Sequence, residues 1–209
     1  MRLAEKAGID TATARVAMVH GEPVAVIRRF DRTADNGRIP YLSGASLLQA
    51  GRNEDHAYSD LVDAMRSKVV DFAEDARQLW RRLVFNLLIT DVDDHLQNIA
   101  FLYVGKNLWR LAPAFDLNPF PDKERESRTW LTEDTGSITS AGQLLAQAAR
   151  FELAQEEALR TVSEVVAAVA QWRTVALGGE AGLTPQELGD FEPAFEHAAL
   201  EEAKALSTR

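Results

Sequence analysis

An apolar helix pattern that runs directly into a polar segment constrains the fold of this chain more than any other feature. Within residues 70–90, apolar side chains recur at the three- and four-residue spacing of a helix. A helix this apolar over its second half should be buried against other helices, and it would deliver Asp93 to a rigid base. The apolar stripe comprises Phe72, Ala76, Leu79, Leu83 and Leu87, widened by Trp80, Val84 and Leu88, and the charged Glu74, Asp75, Arg77, Arg81 and Arg82 are expected to cover much of the remaining surface.

Three polar residues follow this helix at a spacing that carries chemical meaning. Asp93 precedes Asn98 by five residues, and Asp116 comes after two further predicted strands. Protein kinases place an Asp, an Asn and a second Asp in this order, because phosphoryl transfer is mainly positioning and charge neutralisation. The first Asp accepts the proton of the acceptor hydroxyl, and the other two residues hold magnesium against ATP. Their oxygen atoms suit this hard cation. The spacing therefore predicts a phosphotransfer site.

Two β-hairpins are predicted on either side of the long helix. Residues 13–19 pair with 22–28, and residues 99–104 pair with 108–111, because each pair of apolar runs is joined by a glycine-containing turn. Thr184 and Glu187 have the spacing of a capping box that opens a last helical region. Further helices are predicted at 2–8, 46–50, 59–68, from 141 onward, at 156–176 and within 185–206, and the segment 122–140 is predicted to be a loop.

Composition excludes several classes of protein. A chain of 209 residues allows one domain, or one domain with a helical appendage. Apolar runs stop well short of the roughly 18 residues that span a bilayer, and the first six residues lack a signal-peptide pattern. The sequence has no cysteine, which excludes disulfides and thiolate metal sites, and its net charge of −9 argues against direct binding to nucleic acid. These features favour a cytoplasmic protein without a membrane segment.

The two Asp-containing motifs resemble those of the HipA-like kinases, the toxin components of bacterial type II toxin–antitoxin systems. The resemblance rests on residues 86–98, with the motif Asp-Asp-His-Leu-Gln-Asn at 93–98, and on Ala-Pro-Ala-Phe-Asp at 112–116. The segment 29–32 is similar to the family's hinge, and 2–9 is similar to the end of its N-lobe helix. The resemblance implies an α+β, mostly α fold: a protein-kinase-like C-lobe helical bundle with two short β-hairpins. It also divides the chain into an N-lobe remnant, 1–32, and a C-terminal lobe, 33–209.

The family's functional residues carry over by matching positions. The resemblance implies that Asp93 is the catalytic base and that Asn98 and Asp116 hold magnesium. It places ATP against Asn98, Asp116 and His95, and its adenine beside Arg28, Arg29 and Phe30. The implied reaction is transfer of the ATP γ-phosphate to a serine of a translation-related protein. The implied partner is a helix-turn-helix antitoxin, through which the chain would reach DNA only indirectly.

Three departures from the family pattern qualify this expectation. Arg28 stands where Glu is common, and Asp91 stands where Asn is usual. A glycine-rich phosphate loop and a strand lysine, both of which the family places before this point, do not precede the first hairpin. We therefore expect a truncated gene product, a split kinase whose N-lobe is a separate protein, or a degenerate kinase. Magnesium and ATP should then bind the isolated chain weakly or not at all, since several preorganised donors would be lacking.

Two other functions stay open at this point. The chain could be a catalytically inactive interaction module built on a kinase lobe, or a magnesium-dependent phosphohydrolase that uses Asp93 and Asp116, although it lacks a recognisable nucleophile motif. Several side chains have plain structural interpretations. Of Asp93 and Asp94 one should face away from the site, and His95 should be a structural hydrogen-bond centre. Surface positions are predicted for His20, His56 and His197, and a solvated loop is predicted to contain Asp122 and Glu124. Trp80 and Trp172 should be core residues.

Overall fold

Helices dominate the described part of the fold, and the strands described there form three small antiparallel sheets. A computed structural model of the chain describes residues 1–51, 56–122, 126–179 and 181–208. The helices are α1 (Arg2–Lys6), α2 (Gly44–Leu48), α3 (Tyr58–Lys68), α4 (Phe72–Ile89), α5 (Ala141–Ala146), α6 (Gln155–Val169), α7 (Trp172–Leu177), α8 (Pro185–Phe195) and α9 (Ala198–Ser207), with a 3₁₀ helix at Ala148–Phe151. The strands are β1 (Ala14–Val19), β2 (Glu22–Ile27), β3 (Tyr41–Ser43), β4 (Ala100–Gly105), β5 (Leu108–Leu111), β6 (Trp130–Thr132) and β7 (Gly136–Ser137).

The predicted long helix, α4, forms the centre of the core. The Asp71 side chain caps its first turn by accepting a hydrogen bond from the Glu74 amide, and Thr90 ends it in the left-handed conformation. Trp80 is fully buried, as predicted. α4 packs against α3, α5, α6, α8 and α9. Burying a large apolar side chain contributes about 1.5–3 kcal/mol, so this shared core holds the residues that follow α4 in place.

Both predicted hairpins are present, together with one further strand and one further short hairpin. β1 pairs with β2, and β4 pairs with β5. β3 extends the second hairpin to three strands in the order β3-β4-β5, and it was not predicted because it contains three residues. β6 and β7 pair within the segment that was predicted to be a loop. The prediction of a loop across 122–140 is therefore wrong for residues 130–137.

The predicted single helix at 156–176 is interrupted. α6 ends at Val169 and α7 begins at Trp172, so the chain turns at residues 170–171. The turn brings the Trp172 ring onto Phe195 of α8, with the ring centres 4.6 Å apart and the planes inclined by 8°. Trp172 is buried, as predicted. Stacking of these two rings in the core gives a physical reason for the break.

The last helical region forms two helices, and its predicted capping box is confirmed. The Glu187 carboxylate accepts a hydrogen bond from the Thr184 amide at 2.7 Å, and the Thr184 hydroxyl accepts one from the Glu187 amide. His197 precedes α9, and its prediction as a surface residue is wrong. The side chain is buried, with Nε2 3.3 Å from the main-chain oxygen of Leu88, because the turn between α8 and α9 packs against the end of α4.

Two charged residues that were expected on the surface of α4 are also buried. The Asp75 carboxylate accepts a hydrogen bond from the Leu111 amide at 2.9 Å, and the Arg82 guanidinium donates one to the main-chain oxygen of Ala112 at 2.8 Å. Both side chains therefore anchor the end of β5 to α4. No helix among the described residues has both the length and the apolar character needed to cross a bilayer.

Candidate active site

Two hydrogen bonds from Asn98 hold the loop between α4 and β4 together. The Asn98 amide nitrogen Nδ2 donates a hydrogen bond to the main-chain oxygen of Asp93 at 3.1 Å, and the Asn98 backbone amide donates to the main-chain oxygen of His95 at 2.8 Å. Asn98 therefore fixes the backbone at Asp93. Among the described residues nothing donates to the amide oxygen Oδ1 of Asn98, so this atom is available to a cation.

The adjacent aspartates Asp93 and Asp94 have different environments. Asp94 is buried, and its carboxylate accepts hydrogen bonds from the Tyr58 hydroxyl at 2.9 Å and from the Arg128 amide at 2.6 Å. Burial raises the pKa of Asp94, and these donors oppose that rise. The Asp93 side chain is 38% exposed and forms an ion pair with Arg128, with Nη1 2.9 Å from Oδ1. Asp94 therefore ties the chain at residue 128 to the loop, while Asp93 stays accessible.

Asp116 occupies the end of the segment that follows β5. Its backbone has a φ of 57°, a left-handed conformation that Asp and Asn tolerate better than other residues. The Asn118 side-chain nitrogen Nδ2 donates to Asp116 Oδ1 at 2.9 Å. The Ala114 amide donates to the main-chain oxygen of Asp10 at 2.7 Å, which secures the segment before Asp116. One carboxylate oxygen of Asp116 is thus positioned by Asn118, and the other, Oδ2, can face a ligand.

Three of the cavities around the site adjoin one another through shared lining residues. The first, about 450 Å³, borders the hinge segment, and Phe115 is shared between it and the second cavity. The second is small, about 30 Å³, and His95 is shared between it and the third, a groove of about 600 Å³. The predicted nucleotide residues divide between the first two: Arg28, Arg29 and Phe30 line the first, and His95, Asn98 and Asp116 line the second. Asp93 lines none of the three, although its partner Arg128 lines the third.

The lining of the small cavity is suited to a cation or a water molecule. Four of its lining residues each have a buried polar atom with no hydrogen-bond partner among the described residues, an arrangement that needs an explanation such as a bound water or ion. Its volume is about that of one water molecule. These atoms are Arg82 Nε, Asn86 Oδ1, Asp91 Oδ1 and His95 Nδ1.

The hard oxygen atoms of Asn98 and Asp116 fit magnesium. Protein magnesium sites commonly use one or two carboxylates and complete their shell with water and phosphate oxygens. Within the described residues no group of three His, Asp or Glu side chains is placed to hold a metal ion without such help. Asp122, which was weighed as a further carboxylate, belongs to no such group and is exposed, and Glu124 lies outside the described residues. The predicted hydrogen-bonding role of the His95 ring is not seen in the described part of the chain, because its buried Nδ1 has no partner.

Comparison with known proteins identifies the family. Residues 1–173 match the model of the family described as the HipA-like C-terminal domain. The chain belongs to this family. A curated relative named "Putative kinase Y4dM" from Sinorhizobium fredii is 31% identical over 159 residues, which cover 72% of this chain and 38% of the relative. The chain thus spans well under half of the length of this relative.

Two solved structures share the fold. HipA of Shewanella oneidensis MR-1, solved in complex with HipB and its operator DNA, matches with a TM-score of 0.75 at 19% identity and covers all of this chain and 54% of that HipA chain. The proinflammatory kinase CtkA of Helicobacter pylori matches with a TM-score of 0.65 at 13% identity and covers all of this chain and 83% of CtkA. The predicted kinase-like, mixed α and β fold is therefore confirmed. The predicted division at residues 32 and 33 stays a prediction.

The site contains residues that the sequence reasoning did not assign to it, and Asp75, Leu79 and Arg82 among them are buried. Asp75, Leu79, Arg82 and Asn86 follow one another along α4 at spacings of four, three and four residues, so they share one face of the helix. Of these, Leu79, Arg82 and Asn86 line the small cavity. Polar residues within an otherwise apolar helical face were the signal that could have located this side of the site.

Asp91 is the departure from the HipA-like pattern with the clearest electrostatic consequence. Its side chain is buried in the wall of the small cavity, and its Oδ2 accepts a hydrogen bond from the Asn118 amide at 3.3 Å. Burial raises the pKa of Asp91 to about 7, with a smaller contribution from the nearby Asp94. Ionisation of this buried carboxyl group therefore lowers the free energy of unfolding at neutral pH.

Replacing Asp91 by Asn is expected to stabilise the metal-free protein at pH 8 and to have little effect at pH 4. As pH rises from about 4 to about 7, Asp91 ionises in the unfolded chain but retains its proton in the folded chain, so its presence lowers stability across that window. Above pH 7 the difference is constant, on the order of 4 kcal/mol at most. Urea unfolding at both pH values measures it. An equal effect of the substitution at pH 4 and pH 8 would contradict this account of Asp91.

Proposed function

We propose that this chain carries the catalytic loop of a HipA-like serine/threonine protein kinase, which transfers the γ-phosphate of ATP to a serine of a translation-related protein. The observation that carries the proposal is the series of three neighbouring cavities. They run from the aromatic hinge region, past Asn98 and Asp116, to a polar groove beside the Asp93–Arg128 ion pair. This order suits adenine, a magnesium ion, and the acceptor, respectively.

The hinge cavity offers aromatic surfaces to a planar base. The Phe30 ring lies 5.5 Å from the Phe115 ring and 6.4 Å from the Tyr41 ring, measured between centres, and all three line the cavity. Arg29 Nε donates to Asp31 at 2.8 Å, and this guanidinium holds the pKa of Asp31 well below its usual range, at about 2. The Arg29–Asp31 pair therefore fixes the wall of the pocket against which we propose that adenine binds.

In the proposed reaction, the residues of this chain position the groups and move one proton. Magnesium, when bound, neutralises charge on the phosphate oxygens. Asn98 and Asp116 hold the ion through their side-chain oxygens. Asp93 orients the acceptor hydroxyl and accepts its proton as the hydroxyl oxygen bonds to the γ-phosphorus. The bond from that phosphorus to the bridging oxygen breaks, and ADP leaves.

The proposed partners follow from the family and from the exposed surface of the first hairpin. HipA of Shewanella oneidensis was solved with HipB and operator DNA. We propose that this chain likewise binds a helix-turn-helix antitoxin and contacts DNA only through it, in the cytoplasm. A protein that supplies N-lobe elements is a further proposed partner, because the exposed apolar side chains of the β1–β2 hairpin offer it a surface.

A phosphotransfer assay tests the proposed reaction. The chain is incubated with magnesium, γ-labelled ATP and serine-containing acceptors, with and without an N-lobe protein. We expect label on serine that depends on magnesium and disappears in EDTA. Release of labelled inorganic phosphate without a labelled acceptor would instead support the phosphohydrolase alternative. Label in neither product under all of these conditions would overturn the kinase proposal.

The β1–β2 hairpin favours a second candidate, a non-enzymatic module or one half of a split kinase. All six residues of β2 are exposed, and one face of the hairpin carries only apolar side chains. Exposed apolar surface on a two-stranded sheet with free edges favours a partner. The members of that face are Ala14, Val16, Met18, Pro23, Ala25 and Ile27.

Binding measurements separate this candidate from an independent kinase. The module predicts that magnesium and ATP do not raise the melting temperature of the isolated chain, whereas an antitoxin or N-lobe protein binds it. Replacing Met18, which is 66% exposed, by Asp should weaken binding of an N-lobe protein without unfolding the chain. Magnesium-dependent stabilisation of the isolated chain by ATP would count against the module.

A further inference from the structure

The polar groove of about 600 Å³ lies beside the proposed catalytic base. Its lining includes His95, Gln97, Arg128, Thr129 and Trp130. The Arg128 guanidinium contributes positive charge to this groove and pairs with the Asp93 carboxylate at 2.9 Å. One positively charged side chain thus both lines the groove and contacts Asp93. This local positive charge contrasts with the net charge of −9 of the whole chain.

The backbone at Arg128 is held firmly, whereas its side chain is open. The Arg128 amide donates to Asp94 Oδ1 at 2.6 Å, and the Thr129 hydroxyl donates to the main-chain oxygen of Asp94 at 2.8 Å. The Tyr58 hydroxyl in turn holds Asp94. The Arg128 side chain itself is 66% exposed. The guanidinium can therefore change its partner without any movement of the backbone that carries it.

The ion pair with Asp93 is easily exchanged. Exposed pairs of this kind contribute only about 0.2–1 kcal/mol. In the described part of the chain Arg128 Nη1 makes the side-chain contact with Asp93, and the other guanidinium N–H groups have no partner. A second carboxylate could bind that unused edge through two parallel hydrogen bonds, a geometry that arginine favours. Such a carboxylate would also draw the guanidinium away from Asp93, whose Oδ1 could then accept a proton.

We propose that Arg128 selects acceptor segments with an acidic side chain next to the acceptor serine, and that binding of this side chain releases Asp93 from its ion pair. Arg128 is in this account a positioning residue, because it acts on the reaction through Asp93. The inference rests on the proposed kinase function and adds to it the substrate class: a polypeptide segment that is acidic around the phosphorylated serine.

The test compares matched serine peptides that differ only in carrying Glu, Gln or Lys beside the serine. The full chain, with its N-lobe protein if activity requires one, is assayed for kcat/KM with each peptide. We expect wild-type protein to favour Glu over Lys by about tenfold, which corresponds to about 1.4 kcal/mol. Arg128→Lys should keep a weaker preference in the same direction, Arg128→Gln should lose it, and Arg128→Glu should favour Lys. Arg160→Glu, an equal charge change at an exposed position of α6, should leave the preference as in wild type.

The outcomes separate this inference from the kinase proposal. An inverted preference in Arg128→Glu but not in Arg160→Glu supports Arg128 as the selecting residue, because a purely structural role would lower all three rates together. Phosphorylation of all three peptides at equal kcat/KM by wild-type protein would overturn the inference and leave the kinase proposal standing. Absence of label on every peptide and protein acceptor would overturn both.

Discussion

Asp93→Asn is expected to lower the rate of phosphate transfer by about 10²–10⁴-fold, the usual contribution of a positioned general base. Asn has nearly the same shape as Asp, but its amide cannot take the proton of the acceptor hydroxyl. The backbone of the loop should persist, because Asn98 holds it through the main-chain oxygen of residue 93 rather than through the side chain. Initial rates with saturating magnesium-ATP measure the effect.

A matched surface substitution controls for the loss of one charge. Asp134 is exposed near the β6–β7 turn, so Asp134→Asn should transfer phosphate at the wild-type rate. The affinity for ATP should be unchanged in both variants, since neither side chain lines the hinge cavity or the small cavity. If Asp93→Asn retained most of the wild-type rate, the assignment of Asp93 as the base would be wrong.

Arg82→Met is expected to destabilise the fold by about 3–5 kcal/mol, because it removes one partner from a buried charged arrangement. The substitution leaves the main-chain oxygen of Ala112 without its donor and removes one of the two cations, Arg82 and Arg110, that act on the buried Asp75 carboxylate. Burial lowers the pKa of Arg82 to about 10, so the guanidinium is still charged at pH 7. Urea unfolding followed by tryptophan fluorescence measures the change.

Arg77→Met on the same helix is the control for this prediction. The Arg77 side chain is partly exposed and pairs with Glu74 and Glu157, so its loss should cost no more than about 1 kcal/mol. Equal destabilisation by the two substitutions would show that Arg82 does not anchor the segment that leads to Asp116. A large loss specific to Arg82 would show that it does.

The local patterns in the sequence predicted most of the elements around the site. Periodic apolar residues located α4, and the alternation around two glycine turns located both hairpins. The pair Thr184 and Glu187 located the start of α8. These features depend on interactions within a few residues, so they can be predicted without knowing which surfaces meet.

The features that escaped prediction depend on contacts between distant segments. The break before Trp172 follows from its stacking on Phe195, and the burial of His197 follows from packing against α4. The charged side chains of Asp75 and Arg82 are buried because backbone groups beyond β4 need their hydrogen bonds. A helical pattern treats such residues as surface because charge usually indicates solvent.

The residues of the candidate site also divide into those that local patterns indicate and those that depend on contacts between distant segments. Asp93, Asn98 and Asp116 could be named from their spacing and from the resemblance to HipA-like kinases, and their roles stay predictions. Arg128 and Tyr58 could not be named, because each meets the loop only through a contact that spans about 35 residues of sequence. The cavities to which these residues belong exist only once the chain has folded.

Magnesium-dependent ATP binding tests the central claim most directly. The shift in melting temperature that ATP causes is measured in magnesium and in EDTA, at millimolar ATP so that weak binding is detected. We use Asp116→Asn because Asn also tolerates the left-handed backbone at this position. The account predicts that magnesium increases the shift in wild-type protein and in Asp93→Asn but not in Asp116→Asn. An equal magnesium effect in all three proteins would contradict the assignment of Asp116 as a magnesium ligand.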